Sequence, residues 1–169
     1  DSERSRGLGD VYKRQQIKAQ NAKIPMYQAQ ADKEIAQQEK RLKDAQNRTK
    51  ADIEQANKRL AVLDKDVEAY LKQGTTKGGV FTADVDNVKK GKELRAEQAP
   101  ERKKLNDQIA QAKKNEIGVA SRVQREITKI NNKLAKQIQD VENRVSEIRK
   151  SIQPTIDLAN KNIQRLSLI

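Results

Sequence analysis

The sequence predicts an all-α fold, a long antiparallel helical hairpin (coiled coil) with its elbow at residues 73–82. Gly74, Gly78 and Gly79 interrupt two long runs rich in Ala, Gln, Lys, Glu and Arg, which are good helix formers. Apolar residues recur at steps of three and four on both sides of this interruption. The chain of 169 residues is 36% charged and 34% hydrophobic, which suits two narrow apolar stripes better than a globular core.

The elbow contains both a helix stop and a helix start. Glycine reaches positive φ angles without strain, so we expect the first helix to end at Gln73. Thr82 is the expected N-cap of the second helix, because its hydroxyl can accept from orphan amides of the first turn. Phe81, the one phenylalanine of the chain, is expected to cover the tip. The predicted turn residues are therefore Gly74, Gly78, Gly79, Phe81 and Thr82.

The first arm is predicted over residues 16–72. Pro25 is expected either to kink the helix or to restart it with proline in the first turn. The last apolar residues of the arm follow the alternating steps of three and four that characterise a coiled-coil seam. Its predicted core positions are Ile35, Leu42, Ile53, Leu60, Leu63 and Val67.

The second arm is predicted over residues 83–165, with kinks or breaks at Pro100 and Pro154. From Val119 onward its apolar positions repeat every eleven residues, a period typical of a straight or slightly right-handed rod. The core positions predicted in this arm are Leu94, Ile109, Val119, Val123, Ile127 and Ile130.

The two stripes also predict a register. If the chain folds back near Lys77, residues whose numbers total about 154 should face each other, for example Leu42 and Ala112. Each paired arm would then be about 80 Å long at 1.5 Å per residue. This register gives no partner to four apolar positions near the end of the second arm. We expect this stripe to meet another chain, or an upstream segment that is absent here: Val141, Val145, Ile148 and Ile152.

Both ends of the chain look foreign to the rest. Residues 1–15 contain RGLGDVYKRQ, and residues 166–169 read LSLI. The first string resembles translated sequencing-adapter sequence at the ends of proteins predicted from assembled environmental (metagenomic) DNA, and the second resembles the start of a companion string. This resemblance implies that both tails are non-native, the first of them disordered, and that the chain is a fragment. The interior resembles coiled-coil segments of large bacterial and phage proteins, including membrane-anchored ones, without indicating one family.

The residue types argue against catalysis. The chain has no histidine and no cysteine, so the commonest general base, thiolate chemistry and the commonest metal ligands are missing. The acid pairs Asp64 with Asp66 and Asp84 with Asp86 are two residues apart, and such neighbours on a helix point away from each other. We therefore expect no enzyme activity and no catalytic, cofactor, metal or small-molecule site. No run of about 18 apolar residues is present, so no membrane span is expected within the sequence either.

The net charge of +12 falls mainly on the second arm. Residues 84–166 carry 19 basic and 12 acidic side chains, and residues 16–72 carry 12 and 9. Arg102, Lys103 and Lys104 are the candidate contact with a nucleic-acid phosphate or another anion. Acidic residues are interspersed, however, and there is no stacking motif.

The function predicted from these patterns is a noncatalytic coiled-coil scaffold or spacer, a segment of a larger bacterial or phage protein that binds a helical partner or itself. One alternative is a nucleic-acid-associated basic coiled coil. The other is an oligomerising phage or membrane-anchored structural component.

Overall fold

The computed structural model describes residues 2–167, with side chains described for residues 7–152 and 158–166. Within this part, α1 (Ser2–Asn21) and α2 (Lys23–Leu71) lead into a two-stranded ribbon of β1 (Gly74–Lys77) and β2 (Val80–Ala83), and α3 (Val85–Ser167) follows. The first two helices pack against α3, which confirms the predicted antiparallel helical hairpin. The chain divides into two compact units, residues 39–123 and residues 1–38 with 124–169.

The first arm is two helices separated by one residue. The amide of Ala22 donates to the carbonyl of Lys18 at 3.0 Å, and α2 then begins at Lys23 with Pro25 in its first turn. Proline is tolerated in this turn because its amide would have no intrahelical partner. Of the two outcomes expected at Pro25, the structure therefore shows the restart.

The N-terminal segment differs from its expected disorder. From Ser2 onward, residues 1–15 belong to α1, and Lys13 Nζ donates to the carbonyl of Ser151 in α3 at 3.4 Å. At the other end, residues 166 and 167 close α3, while residues 168 and 169 of the predicted tail lie outside the described residues.

The stripe from Val141 to Ile152 is covered by this chain, contrary to expectation. Val141 is only 1% exposed, Val145 and Ile152 are buried, and Ile148 is half-buried. They lie in the unit formed by residues 1–38 and 124–169, where α1 supplies the facing surface. The expectation of an unpaired stripe failed because it left residues before Ile17 out of the pairing and because its register was too low, as Lys13 with Ser151 also shows.

The second arm runs as one helix through both prolines, so neither Pro100 nor Pro154 breaks it. Proline in a helix interior costs about 3 kcal/mol, which contacts made by its neighbours can offset. At Pro100 such contacts are visible, because Gln98 and Glu101 on either side of it both bond to α2.

The elbow is a β-hairpin rather than an irregular loop. Cα pairing runs from Gly74 with Ala83 to Lys77 with Val80. Gly78 and Gly79 form the two-residue turn with φ of 58° and 78°, which confirms the predicted need for positive φ at these two positions. The signal for the ribbon was present in the sequence, because β-branched residues flank a Gly-Gly pair.

Gly74 is required for space and not for a positive φ. It lies in β1, and a Cβ built on it would collide with the carbonyl oxygen of Thr82 and lie 2.9 Å from Phe81 Cζ. Phe81 therefore lies over the Gly74 backbone while remaining 51% exposed.

The predicted helix boundaries at the elbow shift by two residues. α2 ends at Leu71 and not at Gln73. Thr82 lies in β2, paired with Thr75, so it is not the N-cap. Asp84 takes that role, because its Oδ1 accepts from the amides of Asp86 at 2.9 Å and Asn87 at 3.3 Å.

The core of the unit 39–123 centres on Ala56, Leu63 and Leu105, with Leu60 and Ile109 packed against them. Every predicted core position in the two arms is buried or half-buried, and the fully buried ones are Leu63, Val67 and Val123. The stripes were therefore assigned to the correct helix faces.

The register differs from the prediction by about seven residues, two helical turns. Thr49 bonds to Ala112 and Leu63 bonds to Gln98, so the numbers of facing residues total about 161 in this unit. Leu71 likewise packs against Gly91. The ribbon is centred on Gly78 and Gly79, not on Lys77, and the first turns of α3 extend past the end of α2. A shift of two turns leaves nearly the same face of each helix in contact with the other helix. The predicted core positions are therefore buried or half-buried although the register was wrong.

The substitution Gly74→Ala should open the ribbon. The added Cβ has no room beside the backbone of β2, and we expect a loss of about 1–3 kcal/mol in local stability. Amide exchange at Thr76 and Phe81 should accelerate while the helical circular dichroism remains.

Gly118→Ala is the matched control. Its Cβ would lie 4.0 Å from the nearest atom, in the middle of α3, so helix propensity should stabilise the chain by about 0.5–1 kcal/mol. Equal and unchanged exchange in both variants would contradict the close packing at Gly74.

Candidate functional site

The strongest constellation of polar side chains in the described residues joins α2 to α3 within the unit 39–123. It is called here the cross-helix polar cluster. Its members are Arg59, Asp64 and the carbonyl of Leu63 on α2, and Gln98, Glu101 and Arg102 on α3.

Gln98 is the centre of the cluster. It is 6% exposed, and its Nε2 donates to the backbone carbonyl of Leu63 at 3.2 Å. Its Oε1 accepts from Arg102, at 3.2 Å from Nε and 2.9 Å from Nη2. Both ends of the buried amide are therefore satisfied, as a polar group in an apolar seam requires.

Arg102 extends the network to α2. Its Nη1 contacts Asp64 Oδ1 at 2.7 Å, and its side chain is only 18% exposed. The guanidinium thus joins an amide on its own helix to a carboxylate on the other. This geometry differs from the expectation that Arg102 contacts an external anion, because all three of its nitrogens already bond inside the chain. Lys103 and Lys104 of the same predicted site remain exposed.

Arg59 and Glu101 form a second, more exposed bridge. Arg59 Nε lies 2.7 Å from Glu101 Oε1, and Arg59 Nη2 lies 3.3 Å from Glu101 Oε2, so the ion pair is bidentate. The hydrogen bond from Arg59 holds the pKa of Glu101 below its ordinary value, and attraction to the guanidinium adds to this effect. The same hydrogen bond to Glu101, followed by the attraction between their charges, raises the pKa of Arg59.

A third polar contact joins α2 to α3 farther from the elbow. The hydroxyl of the buried Thr49 donates to the carbonyl of Ala112 at 3.3 Å. It lies in the same register as the bond between Gln98 and Leu63. Three points along the unit therefore specify one pairing of α2 with α3.

This arrangement can select a register. A slip of seven residues would return apolar side chains to the seam, because the buried positions of each helix repeat at sevens. The slip would carry the polar partners about 10 Å apart along the helix axis. Arg102 would then lose Asp64, and Glu101 would meet Asp52 in place of Arg59, which is unfavourable between like charges.

Sequence reasoning missed Gln98 and Thr49 because it searched for apolar residues only. A signal was available. Thr49 continues a seven-residue series in α2, and Gln98 continues one in α3. The two series are Leu42, Thr49, Ala56 and Leu63, and Gly91, Gln98, Leu105, Ala112 and Val119.

One carboxylate of each acid pair has a partner of its own. Asp64 bonds to Arg102, and Asp84 caps α3. No group of three or more acidic, histidine or cysteine side chains converges on a metal-sized site among the described residues. No helix in that part of the chain is long and apolar enough to cross a bilayer.

Comparison with family models, curated proteins and solved structures gives no match to this chain.

Replacing Arg102 with methionine should destabilise the hairpin by about 1–3 kcal/mol, because Gln98 Oε1 then loses its donors inside the seam. Arg95→Met is the control. Arg95 is an exposed arginine on the same helix, and a change there should stay within about 0.5 kcal/mol. Urea unfolding followed by circular dichroism measures both, and equal losses would show that Arg102 has no special role.

Glu101→Gln should lower the melting temperature at neutral pH by removing the ion pair with Arg59. Because the folded-state pKa of Glu101 lies below its ordinary value of 4.5, the carboxylate stabilises the fold above that value. This contribution disappears as the pH falls through the lower folded-state pKa.

The melting temperatures of the native chain and the Glu101→Gln variant should therefore converge at acid pH, and also in high salt. A difference that persists or grows at acid pH would contradict the assigned ionisation.

Proposed function

We propose that this chain is a noncatalytic coiled-coil spacer or scaffold. Its setting would be a larger bacterial or phage protein, as the resemblance of the interior implies. The observation that carries the proposal is the cross-helix polar cluster, in which buried and half-buried polar groups bond from one arm to the other. Polar groups used in this way hold one helix at a fixed position along the other.

A spacer must resist bending as well as sliding. The helices provide continuous backbone hydrogen bonding, and α2 alone spans 49 residues. At 1.5 Å per residue this corresponds to about 70 Å of helix. Pairing along the seam supports α2 where an isolated helix would fray.

Double electron–electron resonance between spin labels at positions Lys40 and Lys65 tests the stiffness of α2. Both lysines are exposed on α2 within the unit 39–123, and the chain has no cysteine to compete for the label. A spacer should give one narrow distribution near 37 Å, from 25 residues at about 1.5 Å each. The same chain in strong denaturant provides the broad reference. A broad distribution without denaturant would reject the proposal.

A nucleic-acid-associated function is the second candidate, and the exposure of Lys103 and Lys104 favours it. The test is the mobility of duplex DNA with Lys103→Gln and Lys104→Gln, leaving Arg102 in place because it bonds to Asp64. Salt-sensitive binding that is lost in this double variant would support the second candidate. Absence of binding at low salt would reject it.

A further inference from the structure

We propose that the hairpin tip, residues 70–85, docks on an anionic lipid surface. This inference goes beyond the spacer function, because it assigns a binding surface to the elbow end of the unit 39–123. It rests on the exposed apolar side chains of the tip, on their local charge and on the short strands that present them.

The tip exposes several large apolar side chains. Val80 is 66% exposed, Phe81 51% and Val85 80%, and Tyr70 and Leu71 at the end of α2 are more than a third exposed. Aromatic and branched side chains of this kind enter the boundary between lipid headgroups and acyl chains. The chain has only three tyrosines and one phenylalanine, and two of these four lie here.

The charge of the tip suits an anionic surface. From residue 69 to residue 83 the charged residues are Lys72 and Lys77, with no acid among them. Glu68, which precedes this stretch, lies 3.5 Å from Lys72 and offsets part of its charge, so Lys77 contributes most of the positive charge of the turn. Asp84, which follows it, accepts two amides of α3. Asp86 is the next carboxylate on α3. It is followed by a group of exposed lysines at positions 89, 90 and 92. Lysines beside inserted apolar groups strengthen binding to anionic headgroups.

The short ribbon favours docking of the tip through its side chains. It does not favour pairing of another β-strand with the edge of β1 or β2. Each strand has four residues, and Lys77 stands at the end of β1. Short strands and lysines are features that discourage pairing at a sheet edge. A tip-to-tip dimer is also disfavoured, because it would bring the Lys77 side chains of two copies together.

Co-sedimentation of the full chain with vesicles tests the proposal. We expect binding to phosphatidylcholine vesicles containing phosphatidylserine, and at least about fivefold weaker binding to phosphatidylcholine alone. The double substitution Val80→Ser with Phe81→Ser should weaken binding at least about fivefold, and Lys77→Gln should weaken it less.

The matched control is Val62→Ser with Ile117→Ser. These two side chains are exposed apolar residues on the helices of the same unit, away from the tip. Their replacement should change vesicle binding less than about twofold. Circular dichroism must show the same helical content in both double variants.

A second measurement does not depend on removing the apolar groups. The chain has no tryptophan, so Phe81→Trp adds a single reporter at the tip, and Val62→Trp adds one on α2. Anionic vesicles should shift the emission of the first to shorter wavelength and leave the second unchanged.

Three outcomes would overturn the proposal. One is no binding to anionic vesicles at low salt. Another is a tip variant that weakens binding no more than the control variant does, which would place the contact outside the tip. The last is a tip-dependent dimer that forms without lipid, which would make a second copy the occupant.

Discussion

The relative position of α2 and α3 depends on the cross-helix polar cluster more than on apolar side chains. A seam of Leu, Ala and Val positions spaced at sevens is satisfied again after a slip of two helical turns. The ion pairs of Arg102 with Asp64 and of Arg59 with Glu101 are not, because each joins two side chains that meet at only one relative position of the helices. The polar cluster therefore supplies the specificity that apolar contacts lack.

This division of roles fits the composition of the seam. Alanines at positions 56 and 112 allow the backbones to approach, and the short hydroxyl of Thr49 can then reach a carbonyl of the other helix. A seam with so many small residues buries little area, so its apolar contribution is modest. Buried polar contacts that add register without much stability are a recognised feature of coiled coils.

Different constraints determine the structure of the elbow and the burial of the C-terminal part of α3. At the elbow, the Gly78–Gly79 turn fixes a β-hairpin, and Asp84 then begins α3. Near the other end of the chain, Val141 and its neighbours are covered by α1. The apolar stripe of α3 thus finds partners on both sides of Gln124, where the chain divides into its two units.

The sequence predicted the fold class, the location of the elbow and the helix faces, because each depends on local composition and periodicity. It predicted the wrong register, because the apolar period of seven leaves a two-turn ambiguity and the polar residues at Thr49 and Gln98 were not counted as part of the seam. It placed the N-cap at Thr82 because the β-ribbon was not recognised. It assigned Arg102 to an external anion, since the carboxylate that binds it, Asp64, is distant in sequence.

Disulfide cross-linking tests the selection of register most directly, since the chain has no cysteine of its own. Ala112→Cys should cross-link with Thr49→Cys and not with Leu42→Cys, which would face it only after the seven-residue slip. Adding Glu101→Gln and Arg102→Leu removes both interhelical ion pairs and should allow both cross-links to form, because the remaining seam accepts either register. If the doubly substituted chain still forms only the first cross-link, the polar cluster does not set the register, and the account is contradicted.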